Sequence, residues 1–129
     1  MTGIKKIVLV TVIFVLIVAA GIAEQLYIDR TFDKLEDYAD DLAVLLQAER
    51  YVEALELTEK LSTWWGKERD KLEFLCSNVD IKEIYREIGE LQGSQYAEMY
   101  DDSITRANVL KYMAQNSKNL LAFKLKNIL

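Results

Sequence analysis

Ile7-Val8-Leu9-Val10-Thr11-Val12-Ile13-Phe14-Val15-Leu16-Ile17-Val18-Ala19-Ala20-Gly21-Ile22-Ala23 decides how this chain is read. It runs 17 residues without a charge, and Thr11 is its only polar side chain. Lys5 and Lys6 precede it, and Glu24 and Asp29 follow. A helix rises about 1.5 Å per residue, so about 20 residues cross a bilayer core. Gly3, Ile4 and the shoulder Gln25 to Ile28 bring the segment to that length. The expected organisation is a cytoplasmic N-terminus (residues 1–6), a transmembrane anchor (7–27), an extracytoplasmic helical bundle (28–117) and a basic, apolar C-terminal tail (118–129). Positive residues favour the cytoplasmic side. The two lysines therefore place the N-terminus inside and the domain outside.

A cleaved signal peptide is the rival reading. Lys5-Lys6 would be its n-region, and Gly21-Ile22-Ala23 offers small residues at a cleavage site. The apolar run exceeds the usual h-region of about 7–15 residues. No polar stretch separates it from Leu26, Ile28 and Phe32, which carry the pattern onward. An uncleaved anchor is the expectation, with secretion after cleavage as the alternative. A buried core helix is disfavoured, because Ile7 to Ala23 has no polar face.

Beyond the anchor the spacing is helical throughout. Proline is absent from all 129 residues, which permits long helices. Asn-Gly and Asp-Gly hairpin turns are missing too. Ile28, Phe32, Leu35, Ala39, Leu42 and Leu46 form an a/d seam. Tyr51, Leu55, Thr58, Leu61, Trp65, Leu72 and Cys76 share a second face; Ile81, Ile84, Ile88, Leu91 and Tyr96 a third; Ile104, Ala107, Leu110 and Ala114 a fourth.

The expected helices run from about Ile4 to Ala48, Tyr51 to Leu75, Ile81 onward, and Ser103 to about Asn116. Turns fall near Glu49-Arg50 and Tyr100 to Asp102, and a loop at Ser77-Asn78-Val79-Asp80. Asp80 is placed to cap the third helix, with Glu83 closing a capping box. Ala48 to Leu55 marks a helix-turn-helix, and Tyr100 to Ala107 is its expected counterpart. Two hairpins are too few for a solenoid. The fold class is all-α: a single N-terminal transmembrane helix continuing into a small antiparallel four-helix bundle.

The lysine-flanked span, the Leu-rich first helix, the turn Tyr51-Val52-Glu53-Ala54, the pair Trp64-Trp65 and the terminal Asn127-Ile128-Leu129 occur in that order. This resembles a domain-of-unknown-function family of short, N-terminally membrane-anchored helical proteins from Gram-positive spore formers. The resemblance covers nearly the whole chain. It implies an anchor and a helical domain, and carries over no catalytic residue.

The chain has no histidine. That removes the Glu-x-x-His pattern of di-iron bundles, Ser-His-Asp and Cys-His catalysis, and His-based zinc sites. Glu53, Glu56, Glu59 and Glu83, Glu87, Glu90 are acidic clusters that read better as solvated helix faces than as a hard-cation site. Gly89-Glu-Leu-Gln-Gly93 has G-x-x-x-G spacing but lies outside the apolar span where that spacing means dimerisation. The lone Cys76 cannot form an internal disulfide and reads as a buried apolar residue. No enzyme activity, cofactor or metal is expected.

Trp64 and Trp65 cannot both point into one core. Trp65 belongs to the Leu61–Leu72 face, and Trp64 lies about 100° away. Trp64 is read as a helix-flanking boundary residue or, more sharply, as a partner-facing anchor. Charge supplies the other contact candidates. Residues 24–102 hold 9 Lys/Arg against 21 Asp/Glu, and residues 103–129 hold 5 basic residues and no acid. The basic end either neutralises acidic neighbours or touches anionic lipid or an acidic partner. Short turns make neighbouring helices antiparallel, so the chain end is expected to return toward the membrane. Lys118, Phe123, Lys124 and Lys126 are then the candidate membrane or partner contacts; closing the base of the bundle is the competing role for the tail. The expected partners are lipid, through the N-terminal helix, and a membrane or envelope protein. Nucleic acid is excluded by the acidic domain outside the cytoplasm. Oligomeric state stays open. An accessory or scaffold subunit is the leading expectation, and an extracytoplasmic sensor or ligand-binding bundle the alternative.

Overall fold

The computed structural model describes residues 2–76 and 80–128, with side chains through Leu120. The expected loop at Ser77 to Val79 lies outside the described residues. Four helices follow one another: α1 (Thr2–Gln47), α2 (Tyr51–Leu75), α3 (Ile81–Tyr96) and α4 (Tyr100–Ile128). Among the described residues there is no strand. The chain divides into two compact units, Met1–Arg30 and Thr31–Leu129.

The first unit is helical, and Ile7 to Val18 are exposed along its whole run. Thr11 Oγ1 donates to the Ile7 carbonyl at 2.8 Å. That satisfies the one polar side chain of the segment inside its own helix. The helix is long and apolar enough to cross a membrane.

In the second unit Phe32, Leu35, Ala39, Leu42 and Leu46 of α1 are all buried, so the 4–3 spacing reports a real seam. They meet Ala54, Leu61, Trp65 and Leu72 of α2, Ile81, Ile84, Ile88 and Leu91 of α3, and Ala107, Leu110 and Ala114 of α4 in one core. Cys76 is buried as expected. Three positions differ. Tyr96 is 62% exposed and Gln95 takes its place inside, while Ala54 and Ser103 hold the core ends of α2 and α4 where larger residues were expected.

Helices α1 and α2 meet through Phe32 and Trp65, with ring centroids 6.1 Å apart. Helices α2 and α3 meet where Arg69 lies over the Tyr85 ring at 4.5 Å. Helices α3 and α4 share the buried Ser94–Ser103 hydroxyl pair at 2.6 Å. Lys111 to Asp40 at 2.7 Å returns α4 to α1. The four helices close a ring around the core.

The first turn falls at Glu49-Arg50 as expected, and the second corrects the expected register. The second hairpin turns at Ala97 to Met99, and α4 starts at Tyr100 rather than Ser103. Its helix then continues to Ile128, through residues expected to be a separate tail. The repeat therefore runs Ala48-Glu49-Arg50-Tyr51 onto Ala97-Glu98-Met99-Tyr100, an offset of 49 residues. Its hydrogen bonds copy one another. Glu49 N donates to Leu46 O and Arg50 N to Leu45 O; Glu98 N donates to Gln95 O and Met99 N to Ser94 O. Both are Schellman stops with glutamate at the left-handed position, φ 60° at Glu49 and φ 57° at Glu98. Glycine favours this conformation, and a side chain there costs on the order of 1–2 kcal/mol. Tyr51 and Tyr100, equivalent residues, stack face to face at 3.6 Å. Buried positions follow the same offset: Leu35 and Ile84, Leu42 and Leu91, Thr58 and Ala107, Leu61 and Leu110. The second unit is one hairpin pattern used twice, at an offset of 49 residues.

Candidate functional site

Asp80 Oδ1 accepts from Glu83 N at 3.1 Å, so half of the expected capping box forms. The Glu83 carboxylate does not return to Asp80; it pairs with Arg86, whose Nε donates at 3.1 Å. A basic neighbour one turn on outcompetes the cap for an exposed carboxylate.

The basic residues of α4 are spread to both sides. Arg106 reaches Asp102 at 2.8 Å, Glu87 at 3.3 Å and Glu90 at 2.5 Å. The Asp102 hydrogen bond leads in pushing its pKa above the usual arginine value. On the other side Lys118 reaches Asp33 at 2.8 Å and Glu36 at 2.5 Å. Hydrogen bonds from Lys118 and then Gln115 hold the Glu36 carboxyl below its usual range. The Lys118 ammonium is pushed up, first by its bond to Asp33. Lys111 is pushed up by Asp40. These contacts clamp α4 between α3 and α1 and carry the internal-neutralisation reading for Arg106, Lys111 and Lys118. The side chains of Phe123, Lys124 and Lys126 lie outside the described residues.

Trp64 is half-buried at the α1–α2 edge. Its ring lies 5.4 Å from Tyr38 and 5.7 Å from Trp65, and Lys34 Nζ stands 4.8 Å above it. This is the boundary position the helical offset from Trp65 requires, with one edge left in an open depression of about 510 Å³ on α2, where Glu56, Lys60 and Lys67 surround it. A smaller hollow of about 240 Å³ lies between α3 and α4, against Ile84, Tyr112 and Met113. Neither is enclosed. The expected contact residues are not gathered into one place: Trp64 and Lys118 stand on different helices with different neighbours.

Among the described residues no group of three or more carboxylate or thiol ligands is placed to hold a metal. The acidic positions that drew attention in the sequence face solvent or neighbouring basic groups: Glu53 takes Arg50 at 2.7 Å, and Glu59 accepts from Tyr96 Oη at 3.3 Å. Two features escaped the sequence reading. The Tyr51–Tyr100 stack needed the 49-residue offset, which the doubled Ala-Glu-x-Tyr would have supplied. Gln95 is 4% exposed, and neither amide atom has a partner. Its equivalent is Leu46, so the offset alone would have shown an amide in a leucine position.

Comparison with known proteins adds one identification. No curated protein and no solved structure matched the chain. A family model, domain of unknown function (DUF4363), matches residues 22–128, the whole helical bundle included. With that match over most of its length, the chain belongs to the DUF4363 family.

Proposed function

We propose that this protein is a single-pass membrane protein whose helical domain acts outside the cytoplasm as a non-enzymatic accessory or scaffold subunit for another membrane or envelope protein. The carrying observation is the apolar run Ile7 to Val18, whose large side chains are 44–68% exposed. A contiguous apolar surface of that size is stable only against lipid or protein. Lys5-Lys6 before the span and Glu24 and Asp29 after it orient the N-terminus inward. The family's range among Gram-positive spore formers belongs to the same reading, with the domain facing the envelope. The bundle's charged groups serve to hold helices together, as at Arg106 and Lys118. Its hollows are open, which favours a contact surface over the alternative of a ligand-binding sensor.

The test is fractionation and labelling. In a Cys76→Ser background, Thr63→Cys should be labelled on intact cells by an impermeant thiol reagent, and the chain should stay in carbonate-washed membranes. Labelling only after lysis reverses the orientation. A mature N-terminus after Ala23 by mass spectrometry replaces the anchor with a signal peptide. Cross-linking followed by detergent purification should then recover a stoichiometric membrane protein; a co-purifying small molecule instead favours the sensor.

A further inference from the structure

The doubled hairpin provides its own control for surface chemistry. On α2 the outward positions Glu56, Glu59, Lys60, Thr63, Lys67 and Asp70 are exposed, and five of the six are charged. The offset of 49 carries these onto Thr105, Asn108, Val109, Tyr112, Asn116 and Asn119 of α4, all exposed and none charged. The fold asks the same of both faces, since both cover the same core positions. From Thr105 to Asn119 all five of these charges have gone; Asp101, one turn earlier at the position of Val52, is exposed and still charged. The basic residues that α4 does keep here are turned aside into the ion pairs of Arg106, Lys111 and Lys118. Tyr112 is left 67% exposed and Val109 41%.

The face also has a period. Thr105, Val109, Tyr112, Asn116 and Asn119 step by 4, 3, 4 and 3, the spacing of a two-helix seam. Of their flanks, Asn108, Met113 and Gln115 are uncharged, and Arg106 is held by Asp102, Glu87 and Glu90. Charge depletion with tyrosine enrichment marks interface centres. An asparagine within a seam sets register, and in a parallel pair Asn116 and Asn119 would each meet their own copy.

We infer that the outer face of α4 is a homodimer seam, on which a second copy of this chain packs in parallel with Tyr112 and Asn116 facing their own equivalents. Charge selects the occupant. Residues 31–129 carry 13 Lys/Arg against 19 Asp/Glu, so two copies repel across most other approaches. Between Thr105 and Asn119 the α4 seam meets itself with no like charges opposed. From Thr105 to Asn119 the seam is about 21 Å long. That is short for a dimer in free solution. Confinement to one membrane raises the local concentration, and in this respect the inference rests on the proposed anchor.

The experiment uses the full chain in its own membranes, with Cys76→Ser to remove the native thiol. A disulfide needs Cα atoms about 4.4–6.8 Å apart, which a self-facing seam position provides. Copper-catalysed oxidation of Asn116→Cys should give a disulfide dimer at least 5-fold more abundant than that from Thr63→Cys, the equivalent of Tyr112 on α2. Adding Tyr112→Lys should abolish the excess while leaving the thermal unfolding midpoint within a few degrees, because the side chain is exposed. Equal cross-linking at positions 116 and 63 overturns the seam. So does an Asn116→Cys adduct with a different protein, which would assign the face to a foreign partner. Retention in carbonate-washed membranes, read separately, reports the anchor: a retained chain with no Asn116→Cys dimer fails the seam alone.

Discussion

Gln95→Leu should make this protein more stable. Gln95 lies in the last turn of α3, 4% exposed, with its amide nitrogen and oxygen both unpartnered. Folding strips water from that amide and returns no hydrogen bond. Protein mutational data put such a group at about 1–3 kcal/mol. Leucine has nearly the same volume and no polar atom. The other half of the molecule has already made the substitution: Leu46, the equivalent residue, is 1% exposed in the same turn of α1. The gain from Gln95→Leu should therefore be about 1–3 kcal/mol. For a unit of 99 residues that corresponds to a rise of about 5–20 °C in the unfolding midpoint. The assay is urea and thermal unfolding of the full chain in detergent, followed by circular dichroism at 222 nm and by tryptophan fluorescence. Leu46→Gln is the reverse test and should cost a similar amount. A destabilised Gln95→Leu protein would refute the reasoning, because the amide would then be making a bond that the fold needs.

Other perturbations separate the remaining claims. Trp65→Ala, at a fully buried site, should cost about 3–5 kcal/mol, while Trp64→Ala should cost about 1–2 kcal/mol for its ring and Lys34 contacts; equal losses in denaturant would refute the division of roles. Glu36 has its pKa lowered on folding, so its contribution is fully present above its ordinary value of 4.5 and is lost as pH falls through the folded value. Lys118 is raised, so its contribution is fully present below 10.5 and is lost as pH rises through the folded value. The stability difference between the wild type and Lys118→Met should hold at pH 7 and shrink below about pH 4; a difference unchanged at pH 3 would remove the clamp. Glu98→Gly should be neutral or stabilise by up to about 1 kcal/mol, and Glu98→Val should cost about 1–2 kcal/mol, because only the second worsens a left-handed turn.

The first helix was legible because two strong signals coincide in it. An apolar run without charges needs no neighbours to be recognised, and the seam from Phe32 to Leu46 keeps one spacing for its whole length. The second helix was legible with its bounds, Tyr51 to Leu75, and the fourth was legible as a helix but not in register. Ala54 and Ser103 close the core at the turn end, and small residues give no apolar signal, so the start of α4 was set three residues late. Glutamate at a left-handed stop hid the second turn, since the sequence cue for that backbone is glycine, while the first lies at Glu49-Arg50 as expected. The hidden cue was Ala-Glu-x-Tyr, which occurs at 48–51 and again at 97–100. The ion pairs of Lys118 were only half legible. Charge counting placed a basic helix beside acidic ones, but the choice of Asp33 and Glu36 depends on which helix lies next to α4.

Once the register is known, the two hairpins divide the residues of the second unit by what constrains them. Where both halves agree, as at Leu42 and Leu91 or Leu61 and Leu110, packing alone accounts for the residue. Where they differ inside, the fold tolerates both, and the less favourable member is a cost: Gln95 against Leu46 is such a place, and stability measurements decide it. Where they differ outside, no packing term chooses between them. The change from Glu56, Lys60 and Lys67 to Thr105, Val109 and Asn116 lies there. Loss of surface charge from an acidic domain lowers its solubility and does nothing for its core. A face stripped of charge at seam spacing is therefore best explained by what it touches, and the cross-link at Asn116→Cys measures that contact directly.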